Sequence, residues 1–317
     1  VVAVCDVFFQ EHGSFEDGVR YYPDYNSLLG EELDLLFVCL PNYLAPEVTI
    51  SGLKANLHVF CEKPPGRKLE DIARVIEVER EHPDLCLKYG FNHRYHHSVR
   101  EALNLVQSGD IGDVLNLKGV YGKSKIISFD STWRTERDLC GGGILLDQGI
   151  HMVDMMRLFA GEFAEVHSFI SNGFWNHDVE DNAYALMRTG AGVVAMLHSS
   201  ATQWRHRFQL EITMSRGQII LDGILTDSKS YGAEKLTVVH SSGDDSKDPK
   251  EITTTFNEDP SWHDEIYDFA EAILSGRKIT EGSSMDAYRT MELVCRIYCA
   301  DKQWKQKYDL TDNVSLQ

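Results

Sequence analysis

Lys63, Asp147 and His151 are the side chains of this sequence best suited to moving a proton beside a reacting carbon. Asp147 and His151 stand four apart in the run CGGGILLDQGIHMVDMMRLF, Cys140–Phe159, and Asp154 follows one turn later. At about 100° per residue the three polar positions fall within about 60° of arc on one helix face. Most other positions from Ile144 to Phe159 are apolar, so the helix is predicted to be buried on most sides. A buried stripe of carboxylate, imidazole and carboxylate must be satisfied internally or used. Two readings stay open on these residues alone: a hydrogen-bonded structural stripe, or an acid/base pair lining a pocket. Asp154, the deepest, goes with the structural reading. The three glycines before the helix are read as room for a cofactor ring or a sugar to approach the backbone.

The elements that must position these groups come earlier in the chain. Val1–Cys5, Leu33–Leu40, Leu57–Cys61 and Leu85–Phe91 are continuous apolar runs, as expected of strands covered on both faces. Helical patterns at 46–55 and 69–81 separate them, and Asn56 is placed to close the first in the left-handed conformation. Strand–helix alternation at this spacing means βαβ units and a parallel sheet, which binds ligands outside the carboxyl ends of its strands. Asp6, Pro41-Asn42, Glu62-Lys63 and Asn92 stand at or just past those ends. Asp6 is where a dinucleotide-binding fold places an acid on ribose hydroxyls; a turn cap is the alternative. No GxGxxG phosphate loop occurs near it. Such a loop belongs about 20 residues upstream of the ribose acid, so the chain is expected to begin inside its first domain. Lys63, followed by two prolines, faces the place of a nicotinamide ring and can stabilise a substrate alkoxide. A neutral His151 can take the hydroxyl proton, with Asp147 holding its tautomer. These are the parts for oxidising an alcohol by hydride transfer. A carboxylate at position 6 favours NAD over NADP.

From Ser98 the pattern changes to hairpins, then to helices near 262–275 and 284–301. The expected fold class is α/β: a parallel-sheet domain over residues 1–95, then an α/β domain over 96–317 with a large, mostly antiparallel open sheet. Its uncovered face predicts a homodimer or homotetramer formed through the C-terminal sheet. The net charge of −18 argues against nucleic acid or an anionic membrane as partner. Seven cysteines without a CxxC pair, and no apolar run of about 18 residues, point to buried thiols in a cytoplasmic protein. His93, His96 and His97 raise a metal site, but no HExxH accompanies them and no metal is assigned.

Glu62-Lys63-Pro64 after HVFC, the run GGGILLDQGIHMVD and the two-part organisation together resemble the glucose-fructose oxidoreductase / inositol dehydrogenase (Gfo/Idh/MocA) family over essentially the whole chain. The resemblance implies a Rossmann domain, here N-terminally incomplete, and an oligomerising α/β domain. It implies NAD, with NADP as the alternative, held around Asp6, Pro41, Asn42, Glu62 and Lys63. Lys63, Asp147 and His151 take the catalytic roles, and Asn92, Arg94, Tyr95, Trp133 and Arg134 the substrate-pocket positions. The implied activity is hydride transfer to or from a hydroxyl carbon of a sugar, sugar nucleotide or cyclitol. An NAD-dependent glycoside hydrolase and a non-catalytic sugar-binding protein are the alternatives.

Overall fold

The computed structural model describes residues 1–125, 132–226, 231–244 and 247–311. Its first part holds two three-stranded sheets. In one, β1 (Ala3–Cys5) runs parallel to β3 (Arg20–Tyr22), and β2 (Gly13–Ser14) adds antiparallel to β3. In the other, β4 (Leu35–Val38), β5 (His58–Glu62) and β6 (Leu87–Gly90) are all parallel, with β5 central. A short α1 (Tyr25–Leu28) precedes β4, and α2 (Ala45–Lys54) and α3 (Leu69–Glu81) are the crossover helices. This is the expected Rossmann-like arrangement. Asn56 closes α2 at φ 59°, as its position predicts. Two sequence expectations need correction. Val1–Cys5 is not a fully buried strand: Val2 is 54% exposed and Ala3–Cys5 are half-buried. The strands β2 and β3 carry no long apolar run, so periodicity misses them.

After α4 (His97–Ser108), which ends on left-handed Gly109, the chain builds one eight-stranded sheet. Its strands are β7 (Val114–Gly122), β8 (Phe163–Ser171), β9 (Asn182–Thr189), β10 (Val194–Ser200), β11 (Arg207–Met214), β12 (Gly217–Asp222), β13 (Glu234–His240) and β14 (Lys250–Phe256). The spatial order is β14-β13-β12-β11-β7-β10-β9-β8, and only β7–β10 is parallel. A short α5 (Arg137–Cys140), a π turn (Leu145–Gly149) and α6 (Ile150–Ala160) form the connection between β7 and β8. The chain closes with α7 (Ser261–Ser275), α8 (Ser284–Ala300) and α9 (Lys302–Lys307).

These last helices return to the β4-β5-β6 sheet and its crossover helix α3. Phe269 of α7 packs edge-on to Phe60 of β5 at 5.7 Å, and Met291, Val294 and Ile297 of α8 join the same buried core as Ile72 and Ile76 of α3. Residues of both sheets therefore share one apolar core. Alternation along β9 is strict: Ala183, Ala185 and Met187 are buried, while Tyr184 and Leu186 are exposed on the opposite face. Of the seven cysteines only Cys61, Cys140 and Cys299 are buried, and Cys39 is exposed.

The glycines before α6 prove to serve the protein's own packing. Gly141 has φ +85°, and a Cβ there would overlap the backbone of Arg67. A Cβ on Gly143 would overlap the carbonyl of Glu180. The same Glu180, fully buried, accepts the Gly143 N–H at 2.8 Å, the Leu145 N–H at 2.9 Å and the Tyr298 hydroxyl at 2.7 Å. Its carboxylate thus satisfies amides that the start of the helical run leaves without partners. The expectation of room for a ligand at these glycines is replaced by close backbone packing. Gly143→Ala should destabilise the fold by about 3 kcal/mol. Gly173→Ala, where nothing lies within 4 Å, should change little. Urea midpoints of the two variants make the comparison.

Candidate active site

Lys63 follows β5, with a cis peptide to Pro64. Its Nζ donates to the Asp147 carbonyl oxygen at 2.6 Å. This bond joins the end of the parallel sheet to the π turn that starts α6. Around it lies a cavity of about 350 Å³, lined by Cys39–Asn42 after β4, Glu62–Pro64 after β5, and Trp133, Arg134 and Asp147. The expected residues Pro41, Asn42, Glu62, Lys63, Trp133, Arg134 and Asp147 therefore meet in one place. Arg134 stacks on Trp133 at 4.2 Å and lies 3.9 Å from the Asp147 carboxylate. Asn42 is buried and donates to the Cys140 carbonyl at 2.7 Å, fixing the β4 loop against the glycine segment.

The three polar positions of the helix part company. A helical wheel assumes 3.6 residues per turn, but the helix enters through a π turn with its wider i→i+5 bonding. Asp147 faces the cavity beside Arg134. His151 stacks on His93, with ring centroids 3.7 Å apart and planes 12° off parallel. Asp154 accepts from Arg94 Nε at 2.6 Å and Nη2 at 2.5 Å, and from Thr290 at 3.0 Å. No hydrogen bond joins Asp147 to His151 among the described residues, contrary to the expected tautomer-holding contact. Buried His151 Nδ1 has no partner there either.

His93, not Asp147, is the neighbour that shapes His151. His93 Nδ1 is 3.1 Å from Asn92 Oδ1, and its Nε2 is 3.1 Å from the Tyr121 hydroxyl. Asn92 Nδ2 in turn donates to Ser261 at 3.1 Å, which leaves its oxygen facing His93. With that amide orientation His93 donates from Nδ1 and accepts at Nε2. Burial holds both His93 and His151 well below the ordinary histidine range; the His96 ring adds to this at His93, the His93 ring at His151, and the Lys63 ammonium at both. Both imidazoles are therefore neutral at pH 7.

Other expected residues lie elsewhere. Arg94 is 5% exposed and committed to Asp154 and to Asp286 at 2.5 Å, so its guanidinium is structural and does not face a substrate. Tyr95 is buried against Lys88 and Asp268, at 2.7 and 2.8 Å. Asn92 is buried and spends its amide on Ser261 and His93. Asp6 ends β1 and accepts the Phe8 amide at 3.0 Å, as an exposed turn cap outside the cavity lining. Periodicity correctly finds these positions but cannot tell a strand-end residue turned inward to a partner from one turned to a pocket. Conversely, nothing in the sequence pattern marks Tyr121 of β7, whose hydroxyl meets His93. Among the described residues no group of three His, Cys, Asp or Glu side chains is arranged to hold a metal ion. No helix among them is long and apolar enough to cross a membrane.

Comparison with known proteins agrees with this arrangement. Residues 1–90 match the oxidoreductase family with an NAD-binding Rossmann fold, and residues 99–220 match the GFO/IDH/MocA C-terminal domain. The chain belongs to the GFO/IDH/MocA family. A levoglucosan dehydrogenase of Pseudarthrobacter phenanthrenivorans is 28% identical over 151 residues, covering 47% of this chain and 38% of that protein. A myo-inositol 2-dehydrogenase of Thermotoga maritima is 29% identical over 218 residues, covering 65% and 61%. The matches thus span less than two thirds of these relatives. A levoglucosan dehydrogenase solved with NADH and levoglucosan superposes with TM-score 0.78 at 21% identity, over 89% of this chain and 82% of that one. That likeness concerns the fold.

Beneath the site, Glu265 of α7 is 1% exposed and neither carboxylate oxygen has a partner among the described residues. Burial pushes its carboxyl up to about 8; the Lys88 ammonium opposes this and the Glu62 carboxylate adds to it. The folded state therefore keeps a proton that the unfolded chain releases near 4.5, and stability falls as pH rises from about 4.5 through 8. Glu265→Gln should flatten that decline and raise the urea midpoint at pH 8.5 more than at pH 5.5. An unchanged pH slope would show that Glu265 is not the group responsible.

Proposed function

We propose that this protein is an NAD(P)-dependent oxidoreductase acting on a CH–OH group of a sugar, sugar nucleotide or cyclitol. The observation that carries the reading is the Lys63–Asp147 bond at 2.6 Å, which sets a lysine of the Rossmann sheet beside the helix bearing His151. The strand-end walls at 39–42 and 62–64 suit the ring and ribose of a nicotinamide nucleotide, and the orphaned His151 Nδ1 marks a polar site still lacking a partner. Sugar and cyclitol dehydrogenases among the relatives support the same substrate class. Pro41, Asn42, Glu62 and Lys63 are the residues to hold the cofactor's nicotinamide half, which supplies the two-electron acceptor or donor. Asp6 caps its turn through one carboxylate oxygen, and the other is the proposed contact for a ribose extending beyond the cavity, which favours NAD. Residues 1–95 form the cofactor domain and 96–317 the substrate domain.

In this reading Lys63 donates a hydrogen bond to the substrate hydroxyl oxygen and stabilises its developing negative charge. His151, neutral and desolvated, accepts the hydroxyl proton. His93 presses its ring in place from one face, with its tautomer set by Asn92 and Tyr121. Asp147 offsets the charge of Lys63 and Arg134. Lys63→Met and His151→Asn should each lower kcat by about 10²-fold or more while leaving the circular dichroism spectrum intact. Since burial holds the His151 pKa down, the acid limb of the wild-type profile should lie below the ordinary value of 6.5. Turnover with NAD and NADP across a panel of sugars and cyclitols tests both; near-normal rates in the two variants would sink the assignment.

The outer sheet face is the surface for a second copy of the chain. Phe169, Tyr184, Leu186 and Met196 are exposed there, at 77, 45, 49 and 51%, on three adjacent strands. Light scattering should find a dimer or tetramer that Leu186→Glu with Met196→Glu reduces to a monomer.

A further inference from the structure

A second cavity, of about 470 Å³, lies apart from the candidate active site and is the larger of the two. They share no lining residue: Leu146 and Asp147 are neighbours in the π turn, yet Leu146 lines this cavity and Asp147 the other. Its walls come from the start of α3, from α5, from α8 and from the turn that follows α9. Leu69, Leu146, Met291 and Val294 give it a buried apolar floor. Its volume and its lining, apolar with a few polar groups, are those of small-molecule sites.

One cation of this cavity lacks a countercharge. Arg137 lays its guanidinium 4.2 Å from the centroid of the Tyr308 ring and 5.6 Å from that of Tyr298. Stacking occupies the faces of the guanidinium plane but leaves its N–H donors, which lie in that plane, to find acceptors. Among the described residues, Nη1 is buried with no hydrogen-bond partner, and no ion pair joins Arg137 to a carboxylate. The Tyr298 hydroxyl is spent on Glu180 at 2.7 Å. Arg67 is committed to the Asp138 carbonyl at 2.7 Å and lies 3.6 Å from Asp71.

A buried donor on a permanent cation calls for an anionic oxygen, and the planar fork of a guanidinium matches a carboxylate. The rest of the lining limits the charge a guest can bring. Glu70, Asp138 and Asp309 stand with Arg67, Lys68 and Arg137, three acidic side chains against three basic. A phosphate dianion meets about twice the repulsion from those carboxylates that a single carboxylate does. We propose that this cavity binds an organic monocarboxylate, with its carboxylate on Arg137 and its apolar body on the floor of Leu146, Met291 and Val294. The site is separate from the oxidoreductase reading and does not depend on it.

The test uses the full chain and calorimetric titration with benzoate. Benzyl alcohol is the uncharged counterpart, phenyl phosphate the dianion, and acetate the same head without a body. The wild-type protein should bind one benzoate per chain with a Kd of about 1 mM or tighter. The other three should each bind about tenfold or more weakly, since each lacks the charge-assisted bond, exceeds the tolerated charge or lacks the apolar body. Arg137→Met should weaken benzoate by about tenfold or more and leave benzyl alcohol within about twofold. Arg137→Lys should restore part of the loss, because it keeps the charge without the fork. Arg134→Met, which alters the guanidinium of the other cavity, should leave benzoate binding within about twofold, and so should saturating NADH. Cys295→Phe keeps Arg137, puts a ring into the cavity from α8 and should abolish binding; it serves if the Arg137 variants do not fold.

No saturable binding of benzoate to the wild type overturns the proposal, and so does an equal affinity for benzyl alcohol or acetate. Phenyl phosphate binding more tightly than benzoate overturns the choice of a monocarboxylate. Loss of benzoate binding in Arg134→Met, or its displacement by NADH, would put the guest in the candidate active site and overturn the second site. Binding that survives both Arg137→Met and Cys295→Phe does the same.

Discussion

A helix buried on nearly every side must bring partners for each polar group it carries, and the architecture around residues 143–160 follows from that requirement. Glu180 satisfies the amides at the start of the helical run. Asp154 is met by Arg94 and Thr290, and Arg94 reaches on to Asp286. Arg157 bonds Thr290 at 2.7 Å and Asp286 at 3.1 Å. Each partner comes from a different part of the chain, so the network ties the segment after β6 to α6 and to α8. Such a network adds little to stability compared with an apolar replacement. Removing one member, however, strands a buried charge at a cost of about 3–5 kcal/mol. It holds α6 in one rotation about its axis.

That single rotation is what brings the candidate site together. With α6 fixed, the π turn before it delivers the Asp147 carbonyl to Lys63 and the His151 ring to His93. The site is therefore assembled at a seam between the two sheets. α7 and α8, late in the chain, pack back onto the β4-β5-β6 sheet and α3 and keep that seam closed. The neutral state of His93 and His151 comes from the same burial that orders them. In this site desolvation, the neighbouring rings and the ammonium groups tune the imidazole, in place of the expected carboxylate partner.

The cavity also shows why net charge is a poor guide to a local site. An overall −18 repels polyanions at a distance, but within a few ångströms the field is set by Lys63, Arg134 and Asp147. The three come from two separate segments of the second part of the chain and one strand end of the first. Their conjunction has no counterpart in any stretch of sequence.

What could be read without a structure was periodic or punctuated. The buried runs of β4 to β6, the helix at 69–81, the hairpins, the strand-end position of Lys63 and the helical spacing of Asp147 and His151 are each encoded within short windows, because burial on two faces and regular periodicity leave local patterns. Short β2 and β3, lacking apolar runs, left none. The reach of side chains across the fold also left none. Tertiary packing assigned Arg94 and Tyr95 to buried networks and turned Asp147 away from His151. It put His93 against the imidazole and spent the glycines on Arg67 and Glu180. The physical reason is common to all of these. Residue type and spacing specify which groups are available, while partner choice for a buried polar group depends on whichever distant group offers the lowest desolvation cost, and only the closed fold decides that.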